Sequence, residues 1–189
     1  MEIRATTRRS IRLPGFDYSQ AGAYFVTICS DHRRCLFGEI SDFRMRANTA
    51  GLLVAACWLR LCDDYPFISL DTWVLMPNHL HGIIWLGSDN LLEKPLSQIV
   101  AAFKATSTSR LRKAFCTNIK LWQRGFFKHI IRGDDDLFRI REYIDGNPTR
   151  WALDPENPSS RAEAIHTLRC SSLATRAHAM RPYDTTLQE

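Results

Sequence analysis

The sequence predicts an α+β fold, a two-layer sandwich in which helices pack on a central antiparallel sheet. Segments with the composition of strands alternate with segments of helical periodicity in the order β-β-α-β-β-α-β-α. This order lacks the strict alternation of single strands and helices that a doubly wound parallel sheet requires. The chain has 189 residues, of which 45% are hydrophobic, so it can bury a core of its own.

The first predicted strand covers residues 22–30, where β-branched and aromatic residues indicate burial on both faces. Residues 35–40 are predicted to form a short partner strand for it. A helix is predicted over residues 48–64, with Asn48 or Thr49 as its N-cap. The apolar residues at helical spacing in this segment are Leu52, Leu53, Ala56 and Leu59.

Two further strands are predicted over residues 67–76 and 79–86. Pro77-Asn78, a pair typical of turns, separates them and predicts an antiparallel hairpin. Residues 96–115 have the pattern of an amphipathic helix. Its predicted core residues are Ile99, Val100, Phe103 and Leu111, and its predicted solvated residues are Lys104, Arg110, Arg112 and Lys113.

The last predicted elements are an aromatic-rich strand or extended segment over residues 120–131 and a helix over residues 134–147. Three aspartates in the first turn of that helix suit the positive end of its dipole. Residues 155–189 are rich in Pro, Ser, Thr and Arg, which indicates a marginal helix or disorder.

These patterns divide the chain into three parts. We expect a basic N-terminal arm over residues 1–20, a folded domain over residues 21–153 and a partly disordered C-terminal tail over residues 154–189. The arm belongs either to a solvated terminus or to a surface that contacts phosphate groups. The arginines that we assign to the second role are Arg8, Arg9 and Arg12.

The charge balance favours polyanionic partners. The chain has a net charge of +5 and a pI near 9.0, and each neutralised phosphate releases counterions. The six cysteines include no C-x-x-C pair, which argues against a zinc ribbon. The sequence shows no secretory signal and no run of about 18 apolar residues. We therefore expect a cytoplasmic protein with free thiols and no membrane partner.

His79 and His81 form the strongest local motif, Pro-Asn-His-Leu-His. Side chains at positions i and i+2 of a strand point to the same face, so the two imidazoles should project side by side. Two imidazoles so placed can share a metal ion. The alternative is a pair of polar side chains on a solvated face, but the apolar residues on both sides indicate a buried strand.

A second motif, Tyr-Ile-Asp-Gly-Asn-Pro, ends the last predicted helix. Tyr143 and Asn147 are four residues apart and should lie on one helical face. A tyrosine hydroxyl can act as a covalent nucleophile, and an amide oxygen can bind a hard metal ion. Taken alone, the same two residues are more typical of a packing tyrosine and a helix-capping asparagine.

Four stretches of the chain, in order, resemble the single-tyrosine HUH transposases, in particular the branch associated with repetitive extragenic palindromes. They are YFVTIC, WVLMPNHLHGIIWL, WQRGFFKHIIR and YIDGNP, and the resemblance extends over about residues 8–153. The histidine and tyrosine motifs are its specific part, since neither motif alone would indicate the family.

The resemblance implies a ferredoxin-like or RRM-type core with an HUH active site. It implies that Tyr143 is the nucleophile and forms a 5′-phosphotyrosine intermediate. It also implies that His79, His81 and Asn147 bind Mg²⁺ or Mn²⁺. The implied substrate is single-stranded DNA at the foot of a hairpin of the repetitive extragenic palindrome type, and the protein would act at the nucleoid as a monomer or a dimer.

Further DNA contacts are expected in the segment WQRGFFKHIIR. Arg124, Lys128 and Arg132 would share a face of an extended chain and follow the DNA backbone. His129 is either a DNA contact, a residue behind the metal ligands or a buried imidazole. Relatives often have an acidic residue where this chain has Lys128, which argues against an acid–histidine pair here. The aromatic residues that stack on bases or fill the core are Trp122, Phe126 and Phe127.

Two other functions compete with the nuclease hypothesis. The first is a non-catalytic module that binds single-stranded or hairpin nucleic acid on an RRM-like sheet. The second is a zinc hydrolase that uses the two histidines. The sequence offers no third ligand and general base of the H-E-x-x-H kind, which disfavours the hydrolase.

Overall fold

The structure is a computed structural model that describes residues 17–90, 94–154 and 157. Its main element is a four-stranded antiparallel sheet with the strand order β4-β5-β1-β6. The strands are β1 (Gly22–Cys29), β2 (Gly38–Ser41), β3 (Arg44–Ala47), β4 (Ile68–Leu75), β5 (His79–Leu86) and β6 (Phe127–Ile130). The helices are α1 (Thr49–Leu59), α2 (Leu61–Asp64), α3 (Leu96–Phe115), α4 (Asp134–Asp145) and α5 (Asn147–Arg150).

The four-stranded sheet has the ferredoxin-like arrangement. Its strands follow one another in the chain as β1, β4, β5 and β6, with α1 and α2 after the first and α3 after the third. Pairing places β5 and β1 in the centre and β4 and β6 at the edges. This confirms the predicted α+β fold, including the hairpin of β4 and β5.

A strand does form near residues 35–40, but the prediction that it pairs with the first strand was wrong. The strand β2 pairs with β3 in a separate two-stranded sheet and not with β1. Asp42 and Phe43 form the connecting turn, and both have positive φ, as a two-residue hairpin turn requires. An Asp-Phe pair is a weak turn signal compared with Asn-Gly, so the sequence did not reveal the second strand.

The side chains of the central strands alternate between two faces. One face of β1 and β5 carries the main core, which is covered by α1 and α3. Gly82 in β5 allows this contact, because a Cβ atom there would lie 2.6 Å from the Trp58 ring of α1. The predicted core residues of α3 are all buried, namely Ile99, Val100, Phe103 and Leu111.

The apolar residues at helical spacing that indicated α1 are not the ones that it buries most fully, although Leu53 packs against the main core. Leu52 and Leu59 are exposed, whereas Val54, Cys57 and Trp58 are buried. The helix has apolar residues of its own on every side, so the periodicity of the sequence could not identify the face that packs on the sheet. The start of the helix agrees with expectation, since the side chain of Asn48 accepts a hydrogen bond from the Gly51 amide at 2.9 Å.

The opposite face of the sheet is covered by α4. Ile144 of this helix is fully buried and packs in a small cluster with Phe25 and Ile83. The helix is also tied to β4, because the Arg141 guanidinium donates two hydrogen bonds, of 2.9 and 2.6 Å, to the two carboxylate oxygens of Asp71. These hydrogen bonds hold the Asp71 carboxylate in its charged form and lower its pKa.

The chain divides into two units, of which the first ends at Trp151 and the second begins at Ala152. Within the second unit the structure describes residues 152–154 and 157 only. The arm predicted over residues 1–20 lies outside the described residues up to residue 16, and most of the predicted tail lies outside them as well. No helix in the described ranges is long and apolar enough to cross a membrane.

Candidate functional site

His79 and His81 lie side by side on β5, on the face that α4 covers. Both side chains are buried, and their ring centroids are 4.4 Å apart. The register of the sheet places Cys29 of β1 opposite His79, and Thr27 opposite His81. The strand geometry thus brings the two imidazoles together, as the i, i+2 spacing predicted.

Asn78 fixes the orientation and tautomer of the His79 ring. Its amide nitrogen donates to the Arg33 carbonyl at 3.0 Å, so its amide oxygen faces His79 Nδ1 at 2.8 Å. An amide oxygen can only accept, and Nδ1 must therefore carry the proton. The remaining nitrogen, Nε2, presents a lone pair, and it is buried without a hydrogen-bond partner among the described residues.

His81 is held in a similar way by a hydroxyl. Its Nδ1 atom lies 2.8 Å from Thr27 Oγ1, and its Nε2 atom lies 3.4 Å from the hydroxyl of Tyr143. The ring stacks on Phe25 with a centroid distance of 5.4 Å. Two neighbouring strands and α4 therefore fix the position of this imidazole.

Both imidazoles are neutral at pH 7. Burial, and then the positive charge of Arg33, lower the pKa of His79 to about 4, and hydrogen bonding to the Asn147 side chain partly opposes them. Burial, and then the neighbouring His79, lower the pKa of His81 well below its ordinary value. The neutral form is the one that binds metal ions.

Tyr143 and Asn147 approach the histidines from the helix side. Tyr143 is 43% exposed, and its ring packs edge-on against Phe25. Asn147 is buried, and its amide nitrogen donates to the Tyr143 carbonyl at 3.0 Å. Its amide oxygen is then the end that could bind a cation.

Asn147 stands in α5 and not at the end of the helix predicted over residues 134–147. The helix α4 ends at Asp145, and Gly146 has right-handed helical angles, so the chain continues directly into α5. A left-handed glycine would have turned the chain away at this point. Because the helical path continues, Asn147 lies one helical turn after Tyr143 and on the same side of the helix.

The donor set fits a divalent cation bound with few protein ligands. A buried ring nitrogen without a partner is costly, and a metal ion would relieve that cost. His79, His81 and Asn147 could hold such an ion. In the described ranges no group of three or more His, Cys, Asp or Glu side chains gathers as a metal site. Other ligands of the ion would therefore come from solvent or substrate.

His129 has an acidic partner that the sequence did not reveal. Its Nε2 atom lies 2.8 Å from a carboxylate oxygen of Asp136, which also accepts a hydrogen bond from the Arg132 amide at 3.1 Å. The argument from Lys128 against an acid–histidine pair was therefore wrong. The acid comes from the first turn of α4, seven positions along the chain.

The predicted DNA-contacting cations are not aligned by a single strand. The strand β6 covers only Phe127–Ile130, shorter than the extended segment expected over residues 120–131. Lys128 lies over the Tyr18 ring with its ammonium 3.2 Å from the centroid, while Arg124 and Arg132 lie outside the strand and are exposed. Three predicted contacts lie outside the described residues, namely Arg8, Arg9 and Arg12.

Of the predicted stacking aromatics, only Phe127 is exposed near the site. It is 41% exposed and packs edge-on against Phe25 with a centroid distance of 6.1 Å. Trp122 is buried in the main core and donates a hydrogen bond to Ser107 at 2.9 Å, so a stacking role for it was wrong. Phe126 is half-buried against the same core.

The similarity of this chain to known proteins includes both the fold and the residues of the candidate site. The family model described as "Transposase IS200 like" matches residues 19–147. An uncharacterized protein of Haemophilus influenzae is 39% identical over 165 residues, which cover 78% of this chain and 91% of the relative. A second protein of that organism, with the provisional name REP-associated tyrosine transposase, is 29% identical over 147 residues, which cover 71% of this chain and 74% of the relative.

A solved structure described as a REP-associated tyrosine transposase bound to a REP hairpin has the same fold. It superposes with a TM-score of 0.54 at 23% sequence identity and covers 70% of this chain and 70% of its own.

Proposed function

Since the chain belongs to the IS200-like transposase family, we propose that it is a metal-dependent endonuclease and strand transferase that uses a single tyrosine. Tyr143 would be the nucleophile. The observation that carries this proposal is the position of its hydroxyl, 3.4 Å from Nε2 of His81, on a side chain that is 43% exposed. A tyrosine hydroxyl beside a neutral imidazole is placed as a covalent nucleophile can be, since such nucleophiles are activated by an adjacent base or a metal ion.

The proposed reaction exchanges one phosphodiester bond for another. The Tyr143 oxygen attacks the scissile phosphorus, a bond from phosphorus to tyrosine forms, and the bond from phosphorus to the 3′ oxygen breaks. The tyrosine gives up its proton and the released 3′ oxygen takes one up. Because the 5′-phosphotyrosine link is itself a phosphodiester, a 3′-hydroxyl can attack it and reseal a strand without ATP.

Mg²⁺ or Mn²⁺ is the cofactor that we propose, held by His79, His81 and Asn147. When bound, it would neutralise charge that develops on the scissile phosphate. The protein supplies no carboxylate to this set, and Mg²⁺ prefers oxygen ligands. We therefore expect the ion to bind tightly only when phosphate oxygens of DNA complete its coordination.

Single-stranded DNA beside a hairpin is the substrate that we propose. The relative with the provisional transposase name and the hairpin-bound structural neighbour support this choice. Phe127 supports it as well, because an exposed ring beside the site can stack on an unpaired base. Phe25 would hold that ring and the tyrosine ring at a fixed spacing.

A covalent-adduct assay tests the proposal. Purified protein is mixed with end-labelled hairpin DNA carrying single-stranded flanks, with Mg²⁺ or Mn²⁺ or with EDTA. We expect a denaturation-resistant adduct that needs metal and is lost in Tyr143→Phe but kept in Tyr65→Phe, a tyrosine that packs against the main core. Binding without any adduct, under all metal conditions, would instead favour a non-catalytic DNA-binding module.

A further inference from the structure

An open groove of about 550 Å³ lies between α3 and the segment before β6. Its floor is apolar and includes Leu121 and the edge of the buried Trp122. Its rim carries four cationic side chains. Two come from α3 and two from the segment, namely Lys104, Arg112, Lys120 and Arg124.

The groove has a strong positive charge. Of the described carboxylates, only Asp31 forms an ion pair with any of these four cations, with its oxygen 2.8 Å from Lys120 Nζ. Asp31 is also shared with Arg34, at 3.5 Å. The four cations of the groove therefore have one carboxylate among them, and that carboxylate also pairs with Arg34. This excess of positive charge favours the binding of a polyanion.

Main-chain carbonyls, which carry no net charge, fix two of the cations. The Lys104 ammonium donates to the carbonyls of Gln123 and Gly125, and Arg112 Nε donates to the Ile119 carbonyl at 3.0 Å. The prediction that Lys104 lies on a solvated helix face was therefore wrong, because the segment folds over it. Burial lowers the pKa of Lys104 to about 8, so this ammonium is still mostly protonated at pH 7, and the carbonyls that hold it do not neutralise its charge.

The groove and the candidate active site flank the same end of β1. On one side of this strand, Cys29 pairs with His79. On the other side, the Gln123 amide donates to the Cys29 carbonyl at 3.0 Å, and Trp122 forms a bridge with Ser30. The histidines lie on the face of the sheet that α4 covers, and the groove lies on the side of α3, so a strand that reaches both must pass around this end of the sheet.

We propose that this groove binds the sugar–phosphate backbone of the DNA strand next to the cleaved phosphate. The inference rests on the proposed function, since it takes DNA as the substrate. Arg112 and Arg124 contact phosphate oxygens, and the apolar floor contacts sugars. The strand passes from the site around the end of the sheet, so the groove acts as a second binding surface that carries no catalytic group.

Salt-dependent DNA binding tests the proposal. Fluorescence anisotropy measures the affinity of the full chain for a hairpin with a single-stranded flank, the same hairpin without the flank, and the flank alone. We expect Arg112→Ala/Arg124→Ala to reduce the slope of log affinity against log salt by about 2, or ~1 for each lost phosphate contact. Lys113→Ala/Arg139→Ala, which removes two exposed cations outside the groove, should leave the slope unchanged.

Comparing the three DNAs shows whether the groove binds the backbone of the single-stranded flank or that of the hairpin stem. A loss with the flanked hairpin and with the flank alone, but not with the flankless hairpin, supports the adjacent single strand. An equal loss with both hairpins and none with the flank alone would overturn that choice in favour of the stem. An unchanged slope for the double variant on all three DNAs would overturn the groove itself.

Adduct formation separates this proposal from the proposed function. A minimal oligonucleotide that covers only the cleavage site should give the same adduct with the groove variant as with the wild type. Arg124→Glu provides a second variant, since Arg124 makes no hydrogen bond or ion pair with the residues that the structure describes. It should weaken binding of the flanked hairpin at least as much as Arg124→Ala does, and equal binding by wild type and both single variants would contradict the groove.

Discussion

Replacing Asn78 by alanine should damage the candidate metal site although the side chain would not touch the metal. Asn78 is fully buried between the Arg33 carbonyl and Nδ1 of His79, and it hydrogen-bonds to both. Alanine would leave the buried Nδ1 atom and the carbonyl of the half-buried Arg33 without this partner. It would also free the His79 ring to move its proton to Nε2, the nitrogen that we expect to face the metal.

The number of lost partners sets the expected loss of stability. Each buried group left without its partner costs about 1–3 kcal/mol, so the Asn78→Ala variant, which loses two, should lose about 2–6 kcal/mol of unfolding free energy. Loss of a residue that orients a ligating histidine typically weakens metal binding about 10–100-fold. We expect a similar fall for this variant.

Two assays on the DNA-free protein measure these effects. Urea unfolding gives the free energy of unfolding, and calorimetric titration with Zn²⁺, an ion that suits imidazole ligands, gives the metal affinity. The control is Asn78→Asp, whose carboxylate can still accept from Nδ1 and should keep Zn²⁺ affinity within about tenfold of wild type. Wild-type Zn²⁺ affinity in a folded Asn78→Ala protein would refute the orienting role.

Two further predictions concern pH and the position of α4. The pKa of His79 is about 4 in the folded protein, against an ordinary value of 6.5. Between these pH values the unfolded chain carries a proton on His79 that the folded protein lacks, so the free energy of unfolding should rise from pH 4 to pH 6.5 and then level off. The difference in unfolding free energy between wild type and His79→Gln should change by about 3 kcal/mol between pH 4 and pH 7, and a constant difference would contradict the depressed pKa. Lysine cannot form both hydrogen bonds to Asp71, so Arg141→Lys should speed hydrogen exchange of α4 amides several-fold while β5 amides stay protected. Equal exchange in α4 of both proteins would show that apolar packing alone holds the helix.

Much of the fold could be predicted because local periodicity determines it. The hairpin of β4 and β5 and the buried face of α3 were predicted from the pattern of apolar residues. The two histidines could be paired for the same reason, since positions 79 and 81 share a strand face whatever the strand packs against. The docking of α4 over them could not be derived from spacing, because only tertiary contacts such as Arg141 to Asp71 fix it.

The parts that sequence reasoning missed depend on contacts between distant segments. Trp122 is typical of a stacking residue by type, but its position in the core follows from Phe37 and Phe103, which pack against it from other elements. Thr27 and Asp136 are ordinary polar residues until the sheet register and the start of α4 place them beside His81 and His129. The one available signal for Thr27 was a hydroxyl in an otherwise apolar strand.

The central place of β5 also limits how the chain can change in length. This strand pairs with neighbours on both sides, and its alternate side chains belong either to the main core or to the histidine face. Inserting or deleting one residue before His79 would exchange the two sets, so that Leu80 would meet α4 and the histidines would enter the apolar core. An indel here would therefore remove the site and the core together, whereas a change of length in the turn of the β2 and β3 hairpin would leave the register of the central strands intact, because that hairpin pairs with neither of them.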